Sequence, residues 1–157
     1  MSSSQVKSGA SPEVLRSVYV DVSVWIALLA NEPSSPALAR WLEAETSPLM
    51  TSRWSVVELA SALSIKVRRA ELTALQAQDL GERFDALVRG EVSLLPLASV
   101  DYDQAAALCR NAASGLRAGD ALHLAVAQRA RASHLMTLDK VMALNAEKLG
   151  LQLLQTV

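Results

Sequence analysis

Four acidic side chains carry the chemical interest of this chain: Asp21, Glu58, Asp120 and Asp139. Asp21 and Asp139 each follow a short apolar run directly, in VYVD and LMTLD, and Asp120 opens the helix-like stretch DALHLAVAQ. Burying an unpaired carboxylate is costly, so an acid at the end of an interior strand should cap a helix, pair with a cation or hold a metal. Capping accounts for each aspartate taken singly, because Asp is a favoured N-cap, and Ser23 is a second candidate cap beside Asp21. Glu58 instead falls inside a helix, off the centre of the stripe Val56, Leu59, Ala60, Leu63 and Val67. Taken alone, it reads as a solvated surface glutamate. The set says more than any member.

The elements that must position these acids alternate along the chain. Strands are expected over 16–20, in SPLMTS, EVSLLPL and SHLMTL, and in a closing LQLLQ. Helices are expected over 23–30 and from an N-cap at Ser34 or Ser35, with Pro36 in the first turn, to Glu45. Further helices follow in RWSVVELASALSIKVRRA and in ELTALQAQDLGERFDALVRG, which stops near Gly90. SVDYDQAAALCRNAASG reads as a helix capped by Ser99 or Asp101 with Gly115 near its end; GDALHLAVAQRARA and DKVMALNAEKLG complete the set. Strands separated by helices imply crossovers, hence a three-layer α/β/α fold around a parallel sheet. In such a sheet ligands gather beyond the carboxyl ends of the strands, where strand order reverses. If the first and fourth strands flank that point, Asp21 and Asp139 face one crevice.

Composition narrows the classes. A chain of 157 residues, 51% apolar, suits one helix-rich domain, here 16–157, after a Ser-rich lead-in over 1–15 expected to be disordered. The net charge of −1 excludes a broadly cationic nucleic-acid-coating protein but allows a local basic patch. No apolar run approaches the length of a membrane span. Cys109 is the sole cysteine, so no internal disulfide forms and a reducing cytoplasm is the simpler home. It lies on the stripe Ala105, Leu108, Cys109, Ala112 and reads as a small core residue, while His123 and His134 read as structural.

The order and wording of the acidic segments resemble the PIN-domain ribonucleases, and more narrowly the VapC-like toxins of type II toxin–antitoxin pairs. VYVDVSVWIALLANEP is similar to their opening Asp-x-Ser strand and helix, and SRWSVVELASAL to the segment carrying their glutamate. LRAGDALHLAVA resembles their third acidic motif, and HLMTLDKVMALNAEKLGLQLL their closing Thr-x-Asp strand and last helix. The likeness runs from about Val18 to the C-terminus. It implies a metal-dependent endoribonuclease with Asp21, Glu58, Asp120 and Asp139 as catalytic metal ligands, Glu58 acting directly or through water. Four carboxylates in one crevice repel one another unless a cation compensates, and an oxygen donor set without His or Cys suits Mg2+ or Mn2+ rather than zinc. The implied reaction is hydrolysis of an RNA phosphodiester with water as nucleophile, leaving a 5′-phosphate and a 3′-hydroxyl.

Around that core, Ser23 and Thr137 are candidates to orient carboxylates or water, with capping and strand packing as their plainer roles. Arg117 could hold a substrate phosphate bidentately or form a surface ion pair. Arg53, Lys66, Arg68, Arg69, Arg110, Arg117 and Lys140 could form a basic rim for RNA. On the glutamate helix, Trp54, Ser61 and Ile65 suggest a face that packs on a second copy, on an antitoxin or under the next helix. The resemblance implies a homodimer and a cognate antitoxin. Two rivals stand beside the nuclease: a phosphohydrolase with Asp21 as nucleophile, and a PIN-like binding module without activity. Against the first, the haloacid-dehalogenase pattern wants a second Asp where this chain has Ser23; against the second, all four acids are intact.

Overall fold

Val18, Tyr19 and Val20 form β1 (Val18–Val20), and none of the three is accessible to solvent. Their alternation explains why: Val18 and Val20 enter one apolar core while Tyr19 enters another, as a strand covered on both faces requires. The computed structural model describes residues 15–154. The expected lead-in therefore lies outside the described residues except for Leu15, as does Gln155 of the expected last strand.

From β1 the chain runs through α1 (Val22–Leu29) and α2 (Ser35–Ala44) to β2 (Leu49–Ser52), then through α3 (Arg53–Arg68) and α4 (Ala74–Gly90) to β3 (Val92–Leu95). It continues through α5 (Ser99–Arg110), a 3-10 turn (Ala112–Ser114) and α6 (Ala118–Arg129) to β4 (His134–Met136), then α7 (Lys140–Lys148) and β5 (Gln152–Leu154). The five strands are all parallel, in the order β3-β2-β1-β4-β5. α1 to α4 supply one core, centred on Trp25, Leu38, Leu59 and Phe84; α6 and α7 supply the other, with Leu124, Val126, Met142 and Ala146. The chain winds outward from β1 in one direction and returns to β4 on its other side. The α/β/α architecture and the expected neighbours β1 and β4 are both present, and no helix of the described residues is long and apolar enough to cross a membrane.

Local expectations fail at two helix ends. The cap of α5 is Ala98 rather than Ser99 or Asp101, and Asp101 sits in the first turn, its carboxylate accepting from Ala98 N–H at 2.7 Å. That helix stops at Arg110, short of Gly115, because the Asn111 side chain accepts from Ala113 N–H and starts the 3-10 turn. Ser34 takes the N-cap place of α2 without a side-chain cap bond, and the Ser35 hydroxyl donates to the Ala27 carbonyl.

Buried Asn145 of α7 ties the second core to the approach of α6, donating to the carbonyls of Ser114 at 2.9 Å and Val141 at 2.8 Å. Asn145→Ala strands the Ser114 carbonyl, so thermal unfolding should show a loss of about 1–2 kcal/mol.

Candidate active site

Asp21 follows β1 at once and is 1 % exposed. It caps α1: one carboxylate oxygen, Oδ1, accepts from Ser23 N–H at 3.0 Å, the Ser23 hydroxyl at 2.6 Å and Val24 N–H at 3.4 Å. The other, Oδ2, accepts from the Thr137 hydroxyl at 2.9 Å, across the gap to the end of β4. The Ser23 hydroxyl in turn accepts from Leu138 N–H, and Thr137 from Asp139 N–H, both at 3.0 Å. Ser23 and Thr137 are thus stitched to one carboxylate and to the segment that leads into Asp139. Burial pushes the Asp21 carboxyl above the usual aspartate range, against the opposing pull of His123 and of the Ser23, Thr137 and Val24 hydrogen bonds.

The other acids reach the same edge from three helices. Asp139 caps α7 and accepts from Met142 N–H at 2.7 Å. Asp120, in the first turn of α6, accepts from Arg117 N–H at 3.4 Å. Its carboxyl is also raised, first by burial and then by the negative charge of Asp139, with Glu58 adding to the effect; Arg117 N–H and His123 pull the other way. Glu58, on the second turn of α3, is 25 % exposed and its Oε2 lies 2.6 Å from His123 Nε2. Capping and convergence therefore hold together: each aspartate completes the start of a helix, and the helix starts meet where their positive dipole ends face the acids.

The donors as placed do not close a coordination sphere. Among the described residues no three Asp, Glu, His or Cys side chains form a group able to hold a metal ion, each carboxylate being turned onto a protein partner. The donor chemistry nonetheless fits a hard divalent cation, since raised acids at one edge are what such an ion would offset.

Sequence reasoning missed the parts played by His123 and Gly119. His123 is 1 % exposed, and its Nδ1 lies 2.8 Å from the Tyr19 hydroxyl. Gly119 leaves room for Glu58: a Cβ there would stand 2.7 Å from Glu58 Oε1 and 3.2 Å from Trp54 Nε1. Trp54 is half-buried and packs against the cluster of Ala105, Ala121, Leu122 and Ala125. Together with Tyr102, Ala105 and Leu122 it lines an apolar groove of about 350 Å³. On the same helix Ser61 is exposed and Ile65 half-buried, so the expected face is not one continuous patch. Cys109 is half-buried against the same apolar cluster and lines that groove.

The basic rim divides. Lys66 pairs with Glu32 and Glu71, Arg69 reaches Glu71, and Arg68 donates to Ser64 at the far end of α3, roughly 15 Å along the helix from Glu58. Arg53, Arg117 and Lys140 instead stand at the starts of α3, α6 and α7, and none of them forms an ion pair among the described residues.

A model of the PIN domain matches residues 18–148. The chain belongs to the PIN-domain family. Solved structures similar to this PIN domain include the toxin VapC20 of Mycobacterium tuberculosis, described as cleaving the sarcin–ricin loop. It is 20% identical, with a TM-score of 0.65 over 82% of this chain and 94% of that one. FitAcB of Neisseria gonorrhoeae is 18% identical at a TM-score of 0.66, covering 88% of this chain and 97% of its own. VapBC2 of Rickettsia felis, solved on a DNA fragment from its promoter, is 14% identical at 0.61, with coverage of 88% and 97%. At these identities the likeness speaks for the fold. Comparison with curated protein sequences finds no match.

Proposed function

We propose that this PIN domain is a divalent-cation-dependent endoribonuclease and the toxin of a type II toxin–antitoxin pair, acting in the cytoplasm. The observation that carries this reading is the convergence of buried Asp21 and of Asp120, whose carboxyls are both raised above the usual aspartate range, with Asp139 and Glu58 beyond the carboxyl ends of β1 and β4. Asp21, Asp120, Glu58 and Asp139 would hold Mg2+ or Mn2+, Asp120 and Asp139 by turning from their present backbone partners and Glu58 through the oxygen that His123 leaves free. The cation, when bound, supplies electrophilic activation of the phosphodiester and a more acidic water. Ser23 and Thr137 fix the Asp21 carboxylate, and Arg53, Arg117 and Lys140 supply cationic charge for an RNA backbone.

The bonding of Asp21 counts against its use as a nucleophile. Both of its oxygens already accept hydrogen bonds, which suits a fixed ligand better than a group that must swing onto phosphorus. Several of the similar solved structures are toxin–antitoxin complexes, which supports a cognate antitoxin, and the apolar groove beside Glu58 offers such a partner or a second copy a place to pack.

The test is RNA cleavage with Mg2+ or Mn2+, with and without EDTA, comparing wild type with Asp120→Asn. We expect cleavage that EDTA stops, products with 5′-phosphate and 3′-hydroxyl ends, and at least a roughly hundredfold loss in the variant. Equal cleavage by both proteins would reject the assignment.

A further inference from the structure

Glu58 differs from the three aspartates in accepting no backbone N–H among the described residues: a side chain alone holds it, and that side chain is itself held from within the core. His123 lies on α6 one turn beyond Asp120 and is 1 % exposed. Its Nε2 meets Glu58 Oε2 at 2.6 Å, and its Nδ1 meets the hydroxyl of Tyr19, a fully buried β1 residue, at 2.8 Å. A carboxylate can only accept, so Nε2 carries a hydrogen and donates to it, and in the neutral ring Nδ1 accepts from the phenol O–H. The phenol O–H is thereby held against the inner face of the imidazole, away from solvent. Tyr19 is thus the anchor on the inner side of the ring.

The other oxygen of Glu58 is confined by shape. A Cβ at position 119 would come within 2.7 Å of Oε1, so the absence of a side chain at Gly119 gives the carboxylate its place over the start of α6. One oxygen is drawn in by His123, and the other fits against glycine.

We infer that Tyr19 and His123 form a buried relay whose task is to orient Glu58, with His123 as a positioning residue. The inference rests on the nuclease reading above for what the oriented carboxylate serves. The geometry resembles the carboxylate–imidazole pairings that orient ligands around metal centres, with the order reversed: here the carboxylate faces the site and the imidazole stands behind it.

Four variants test the relay. His123→Gln keeps an N–H donor near the Nε2 position, His123→Leu fills the space without one, and Tyr19→Phe removes only the anchoring hydroxyl. Gly119→Ala crowds Glu58 while substituting a better helix former. Mn2+ affinity of the full chain is measured by calorimetry, with thermal midpoints as the folding check. We expect His123→Leu and Gly119→Ala to weaken Mn2+ binding about ten- to a hundredfold and His123→Gln to stay within about threefold of wild type. kcat for RNA should fall with little change in KM. Equal Mn2+ affinity in wild type and His123→Leu, or equal weakening by Leu and Gln, overturns the proposal. Long-range proton–nitrogen NMR of the imidazole at constant pH separates the relay from the nuclease reading. Should wild type bind no Mn2+, that reading fails, and the relay is judged by NMR alone. An Nε2-protonated ring whose signals move in Glu58→Gln and Tyr19→Phe supports it; an Nδ1-protonated ring indifferent to both overturns it.

Discussion

Asp21→Asn is expected to reduce RNA cleavage at least about a hundredfold while leaving the fold as stable as before, or more so. The two effects have one cause. Asp21 is 1 % exposed, and burial holds its carboxyl above the usual range despite its hydrogen bonds, so its charge is a cost to the folded state. An acid whose folded pKa is raised contributes stability below its unfolded pKa and loses that contribution as pH rises through the folded value. Wild type should therefore lose stability relative to Asp21→Asn as pH climbs from about 4 toward neutrality. The amide still offers an oxygen to Ser23, and Thr137 can turn its hydroxyl to accept. Added Mn2+ should recover the difference in wild type, by about 2.7 kcal/mol at a hundred times the dissociation constant, and not in the variant. Melting curves across pH, with and without Mn2+, check both signs.

The second large effect lies away from the site. Asp101 is 1 % exposed, and Arg129 approaches it through Nε at 2.6 Å and Nη2 at 2.9 Å while also donating to the Pro96 carbonyl at 2.8 Å. Burial works to raise the Asp101 carboxyl, but the Arg129 hydrogen bonds, Ala98 N–H and the Arg129 charge together bring it below its usual range. Arg129→Met should cost about 3 kcal/mol, the low end for a broken buried pair because Arg129 is partly in water, or roughly 6–12 °C in thermal midpoint. A lowered acid lends stability above its unfolded pKa and loses it as pH falls, so the gap between wild type and Arg129→Met should narrow in acid. Adding Asp101→Asn to the variant should recover much of the loss, since no bare charge is then buried. RNA cleavage per folded molecule should be unchanged by either.

The alternation of strands and helices made the sheet legible, because a strand buried on both faces, such as Val18–Val20, leaves a run that neither a surface strand nor a loop would carry. The place of Asp21 and Asp139 at neighbouring strand ends followed from topology alone. What escaped was long-range. Asp101 looked like a cap because Ser and Asp near a helix start usually are; its partner stands 28 residues away on α6. The end of α5 was misplaced because Gly115 is the louder stop signal and Asn111 the nearer one. Lys66, Arg68 and Arg69 lie on or at the end of the Glu58 helix, yet its rise carries them out of the crevice, where Lys66 and Arg69 pair with Glu32 or Glu71 and Arg68 donates to Ser64. His123 reads from sequence as structural, but its bond to Glu58, 65 residues off, does not show there.

The most direct test of the cation-held acid cluster is calorimetric titration of Mn2+ into wild type, Asp21→Asn, Glu58→Gln, Asp120→Asn and Asp139→Asn. The account predicts binding by wild type and weaker binding by every variant, with the steepest losses at Asp21 and Asp120. Wild type that takes up no divalent cation, or Asp21→Asn and Asp120→Asn that bind as tightly as wild type, would contradict it.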